Sequence, residues 1–184
     1  MKRGTAVRSA LAAAVALAVV VGFWWLRSPE STLVKVGQRA PDLELRSLGA
    51  TSKTRLSSFR GRPVLLVMFM SGCHLCDEEM PQIERLHSRL LPRGLAVIGV
   101  SADTDRAALA RFVDRHHMTF LVLEDPGGPA LRQAYGSWKL PEAYLIDASG
   151  TVAAVWLGSV PWSGTEVQEA IQRVLPPKKP GSPF

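Results

Sequence analysis

The chain has 184 residues, 47% of them hydrophobic, with 13 Pro and 15 Gly, a size and balance that suit one globular domain with accessory ends. Of its 22 Lys and Arg, four (Lys2, Arg3, Arg8 and Arg27) flank the first apolar stretch, and the remaining 18 face 16 acidic residues from Glu30 onward. A net charge of +6 that is concentrated at one end leaves a near-neutral body, so there is no electrostatic case for nucleic acid as a partner.

Residues 9–26 carry no charge and, as a helix, would reach ~27 Å, nearly a bilayer span. The exit side reads Phe23-Trp24-Trp25-Leu26-Arg27, bulky where a cleavage site wants small residues. Residues 1–27 are therefore expected to be an uncleaved membrane anchor, with Lys2, Arg3 and Arg8 holding the N-terminus in the cytoplasm and the domain outside. Residues 28–35 form a linker. Asp42 to Leu45 alternates at period two and Thr51 to Leu56 follows the Gly49 turn, which predicts a hairpin covering one end of the domain. Val64 to Met70 is a continuous apolar run that suits a buried central strand.

That strand delivers Ser71-Gly72-Cys73-His74-Leu75-Cys76 to its carboxyl end, and these are the two cysteines of the chain. Two thiols with two residues between them at a helix start can close into a disulfide. The first, near the positive end of the helix dipole, is the candidate nucleophile; Cys76, one turn inside, is the candidate resolving thiol. A zinc site lacks ligands, because there is no second pair and His116 and His117 are adjacent with diverging rings. No metal or cofactor is expected beyond the redox-active Cys73–Cys76 disulfide. His74 would stabilise a Cys73 thiolate when protonated, while Asp77, Glu78 and Glu79 place negative charge near the same helix end, so a reducing couple is expected.

Further along, Met80, Ile83, Leu86 and Leu90 lie at helical spacing with Pro81 expected to kink the helix. Leu95 to Val100 reads as a strand, Asp105 to His117 as a helix whose two histidines are surface or boundary residues, Phe120 to Leu123 as a strand, and Leu131 to Tyr135 as a short helix. Pro141 precedes a strand ending at Asp147, which pairs through Ala148-Ser149-Gly150 with the strand Thr151 to Leu157. Ser163-Gly-Thr-Glu166 reads as a capping box for a last helix. Residues 176–184 are expected to be a disordered tail. Trp138, Tyr144, Trp156 and Trp162 are candidates for a client groove, although burial in a small core is the commoner fate of such residues.

This order implies an α/β fold with a central mixed sheet flanked by helices. Over residues 36–175 the chain resembles the thioredoxin fold, and more narrowly the membrane-anchored, TlpA-like thiol-disulfide oxidoreductases that include cytochrome c maturation reductases. The residues carrying the likeness are Ala40-Pro41-Asp42, Gly61 to Leu66, Cys73 to Cys76 with Glu79-Met80-Pro81, and Leu140-Pro141-Glu142 through Asp147. The resemblance implies a cis Leu140–Pro141 bond beside the disulfide, with the Leu140 backbone offered to a bound client strand, and an acidic site residue at Glu142. It also implies an exported, disulfide-containing client and a membrane thiol-disulfide electron donor. The expected location is the bacterial inner membrane, single-pass, with the domain on the periplasmic side.

Two positions depart from that family. Gly72 stands where relatives carry Trp, opening the approach to Cys73. Val67 stands where cytoplasmic thioredoxins carry an Asp that takes the proton of the second thiol; water, Glu142 or Glu44 would replace it. Three other readings share the scaffold. An oxidase or isomerase that matures a periplasmic enzyme would use the same pair. A peroxiredoxin needs Thr or Ser three residues before its cysteine, where this chain has Met70. A copper chaperone would use soft thiolates, but at a spacing one residue longer.

Overall fold

The computed structural model describes residues 34–137 and 139–177. The expected anchor at residues 1–27, most of the linker and residues 178–184 of the tail lie outside the described residues, as does Trp138. No helix among the described residues is long and apolar enough to cross a membrane.

Seven strands, β1 (Glu44–Ser47), β2 (Lys53–Arg55), β3 (Val64–Phe69), β4 (Ala96–Ser101), β5 (Leu121–Glu124), β6 (Glu142–Ile146) and β7 (Val152–Leu157), form one sheet in the order β2-β1-β5-β4-β3-β6-β7. The helices are α1 (His74–Leu90), α2 (Arg106–Arg115), α3 (Pro129–Tyr135) and α4 (Thr165–Val174). β3, β4 and β5 run parallel and the other pairings are antiparallel. The sheet is thus mixed, and the expected α/β architecture is observed.

All six residues of β3 are buried because helices or loops cover both faces of the sheet there. Leu65, Val67 and Phe69 join the core under α1, α2 and α4; Val64, Leu66 and Met68 join the core formed with α3 and the N-terminal segment. Each such side chain contributes about 1.5–3 kcal/mol of burial, and period-two alternation divides that between two cores. On the α1 side Phe69 stacks on Phe112 at 5.7 Å between ring centroids.

The first hairpin forms and lies at one end of the sheet, outside β5. Its β1 pairs antiparallel with β5 at Arg46↔Glu124 and Ser47↔Leu123, so it extends the sheet sideways. The last helix starts differently from expectation. Gly164, not Ser163, is its N-cap, and no side chain caps it. The Gly164 amide donates to Pro161 O at 2.7 Å, a turn that shifts the start by one residue. A Cβ at Gly164 would stand 2.9 Å from that carbonyl, which favours glycine there. α1 continues across Pro81 to Leu90. α2 begins where the helix is expected, with Asp105 as its N-cap, its carboxylate accepting from the Ala107 and Ala108 amides at 2.8 and 3.2 Å.

Gly99 on β4 tests the packing directly. An added Cβ would lie 2.9 Å from Phe69 and 3.0 Å from Phe120, both ring carbons in the core. Gly99→Ala is expected to lower unfolding stability by about 1–3 kcal/mol through overpacking, read as a reduced urea midpoint at unchanged slope.

Candidate active site

β3 ends at Phe69, a three-residue turn follows, and Cys73 becomes the N-cap of α1. Its Sγ accepts from the Cys76 amide at 3.2 Å, so the sulfur takes the place an Asp or Ser oxygen usually holds at a helix start. The Cys73 amide donates to Met70 O at 3.2 Å. Cys73 and Cys76 are joined as a disulfide with Cα atoms 5.2 Å apart. Cys76 has no exposed surface, whereas Cys73 is partly exposed. An anionic Cys73 sulfur would keep the amide bond and the helix dipole, both of which favour the thiolate.

Opposite Cys73 stands the loop before β6. The Leu140–Pro141 bond is cis, and Leu140 O lies 3.8 Å from Cys73 Sγ. A groove of about 670 Å³ runs from this pair along the loops that follow β4 and β5. Gly72 is exposed, and a Cβ there would meet only Met70 Cε at 3.9 Å, so the approach is open as expected. His74 is turned to solvent and to Glu78, 3.2 Å away.

Glu142 is 4% exposed and so is not a surface strand residue. Burial raises its pKa, opposed by hydrogen bonds from Ser137, Tyr144 and the Lys139 backbone; the Tyr144 hydroxyl donates at 3.3 Å. These bonds tie the acid to the loop that carries Leu140. Alternation along β6 puts Glu142 and Tyr144 on the α3 face, whereas Cys76 packs with Val67 and Ala143 on the α1 face. The expectation that Glu142 takes the Cys76 proton therefore conflicts with the register of β6. Glu44 is no better placed: it pairs with Arg55 at 2.7 Å on β1, and β5 and β4 lie between that strand and β3.

The acid that sequence reasoning misread is Glu79. Expected to add charge at the helix start, it is instead 1% exposed and accepts from the Val160 amide, fixing the loop after β7 to the active-site helix. Burial raises its pKa, and bonds from Val160 and Ser159 oppose the rise. Its spacing was the available signal, since Glu79 lies three residues after Cys76 and four before Ile83, on the buried stripe. Asp77 is the acid that remains near the surface of the first turn. His116 Nε2 lies 2.7 Å from Asp77 Oδ1 and Arg115 3.4 Å, and the His116 hydrogen bond leads the causes that lower the Asp77 pKa. His116, expected at the boundary, thus reaches the residue after Cys76. Tyr144 and Trp162 are buried, and Trp156 is half-buried against Trp162, as befits core aromatics.

Among the described residues no group of three or more His, Cys, Asp or Glu is placed to hold a metal ion. An accessible sulfur at a helix N-cap, a shielded partner one turn on and a backbone carbonyl before a cis proline, set in this mixed sheet, define a thiol-disulfide oxidoreductase of the thioredoxin fold. Comparison with known proteins carries the assignment further. The chain belongs to the AhpC/TSA family, whose model matches residues 36–155. It is 31% identical over 176 residues to the thiol-disulfide oxidoreductase ResA of Geobacillus kaustophilus (strain HTA426), covering 96% of this chain and 94% of that one. It is 30% identical over 156 residues to the thioredoxin-like protein YneN of Bacillus subtilis (strain 168), covering 80% of this chain and 89% of that one. Among solved structures it resembles a Chlorobium tepidum protein assigned as the thiol:disulfide interchange protein DsbE, with a TM-score of 0.70 and 26% identity over 77% of this chain and 98% of that one.

The buried Glu142 carboxyl makes stability depend on pH in a definite direction. Because its folded-state pKa is raised above 4.5, the unfolded chain ionises first, and stability from this group, present in acid, is lost as pH rises towards the folded-state value. Glu142→Gln removes that loss. Urea titrations of the two proteins should differ little near pH 4 and diverge in favour of the amide as pH rises.

Proposed function

We propose that the enzyme reduces disulfides in exported client proteins, including those handled in cytochrome c maturation, and is itself re-reduced by a membrane thiol-disulfide donor. The supporting observation is the placement of Cys73 Sγ, partly exposed, on the Cys76 amide and 3.8 Å from the Leu140 carbonyl. A client strand lying along Leu140 brings its disulfide to that sulfur. The Cys73 thiolate attacks one client sulfur, forming a mixed disulfide and releasing the other as a thiolate that takes up a proton. Cys76 then loses its proton and attacks Cys73 Sγ, expelling the second client thiolate. Two electrons pass to the client, which leaves with two thiols, and the Cys73–Cys76 disulfide remains.

Cys76 needs a proton acceptor for the second step, and Val67 supplies none. In this reading Glu79, on the same helix stripe as Cys76, takes that role. The ionised Asp77 beside Cys76 works against thiolate stability and so favours a reducing couple. The resemblance of residues 1–27 to an uncleaved anchor, with positive charge before it, supports an extracytoplasmic domain on the membrane surface.

Four measurements test this. The full chain equilibrated with dithiol buffers should show a potential near or below ~−250 mV; a value near ~−120 to −180 mV would assign it to oxidation or isomerisation instead. Cys76→Ser should accumulate the mixed disulfide with a peptide bearing an oxidised Cys-x-x-Cys-His segment, and Cys73→Ser should form none. Glu79→Gln should slow release of that mixed disulfide at least ~10-fold at neutral pH; unchanged release would assign the proton to water. Alkaline extraction of membranes from expressing cells should leave the full chain in the pellet.

A further inference from the structure

The turn that carries Cys73 is held from outside its own segment. Asp103 lies in the loop after β4, the strand that pairs with β3 up to Phe69↔Ser101. Its carboxylate accepts from the Ser71 amide at 2.9 and 3.2 Å, from the Ser71 hydroxyl at 2.5 Å and from the Ser101 hydroxyl at 2.7 Å. The Asp103 amide in turn donates to Ser101 Oγ at 3.0 Å. Donors to an acidic side chain make stronger bonds than neutral pairs.

Between this clamp and the nucleophile stands only Gly72, which is exposed and has open space around it. A glycine there has the widest backbone freedom, so the direction of Cys73 is set by what fixes the residues on either side. On the far side the helix and the Cys76 amide fix it; on the near side Ser71 does. The reaction needs that direction, because a client strand seated on Leu140 presents its disulfide at one place and attack must come in line with the S–S bond. Misplacement of ~1 Å in such a geometry costs about a hundredfold in rate.

We propose that Asp103 is a positioning residue, which aligns Cys73 with the client-binding carbonyl of Leu140 through Ser71. The role rests on dithiol exchange at Cys73. It concerns docked protein or peptide disulfides, and it leaves small disulfides, which approach the exposed sulfur freely, almost unaffected.

The test compares two oxidants on the reduced full chain at about pH 10, above the ordinary thiol range, so that charge effects on thiolate fraction drop out. The oxidants are a peptide bearing an internal Cys-x-x-Cys-His disulfide and glutathione disulfide. Asp103→Ala should lower the rate constant with the peptide by about tenfold and leave that with glutathione disulfide within about twofold. Asp103→Asn keeps an acceptor for the Ser71 amide and should restore the peptide rate to about a third of wild type or better. Ser71→Ala, which removes only the hydroxyl bond, should lower the peptide rate alone by about threefold and serves if Asp103→Ala does not fold. An unchanged peptide rate in either alanine variant overturns the role, as does an equal loss with both oxidants that Asn fails to rescue. A wild-type chain inert to both disulfides would overturn the exchange chemistry along with it.

Discussion

One sulfur atom joins the architecture to the chemistry. Cys73 Sγ caps α1 through the Cys76 amide, and the same atom is the one exposed at the end of the central strand. Capping needs an acceptor with electron density to share, and nucleophilic attack needs the same. The helix start therefore gains from the thiolate, and the thiolate gains from the helix. Everything that anchors α1, from the apolar stripe Cys76, Met80, Ile83 and Leu86 to the buried Glu79 on the Val160 amide, keeps that mutual dependence in register with β3.

Around this atom three loops arrive from strands that are neighbours in space but distant along the chain. β3 supplies the turn with Cys73, β4 supplies Asp103, and the loop before β6 supplies Leu140. Parallel strands placed side by side bring their carboxyl ends to one edge, and β6, antiparallel to β3, begins where β3 ends. The acids at this edge are separated by burial and by face. Asp77 is held ionised by His116 and Arg115, whereas Glu79 and Glu142 are pushed towards neutrality in two different cores. One site can thus hold several carboxyls without filling it with charge.

What the sequence made legible was local. Apolar runs such as Val64–Phe69, the cysteine spacing and the helix starting near Asp105 are decided within a few residues, and the structure keeps them. What was not legible depended on partners far away. The first hairpin is legible as a hairpin but its docking on β5 is not, because unpaired strand edges leave no mark in composition. Glu79 was read by its charge and not by its place on the helix stripe. Asp103 carried no motif, and its meaning appears only once β4 lies beside β3. The capping box at Ser163 yielded to the Pro161–Gly164 turn, a backbone preference that side-chain patterns do not encode.

The sheet also gives the domain a polarity. Residues Gly37 to Ala40 bond to Gly150 and Val152 at the start of β7, while the end of β7 meets Pro141 through the Gly158 amide. By strand rise these two places are roughly 20 Å apart. The described N-terminal segment thus docks at one end of β7 and the exchange site lies at the other, so that the bonds holding residues 37–40 act on the sheet well away from the turn that bears the sulfur.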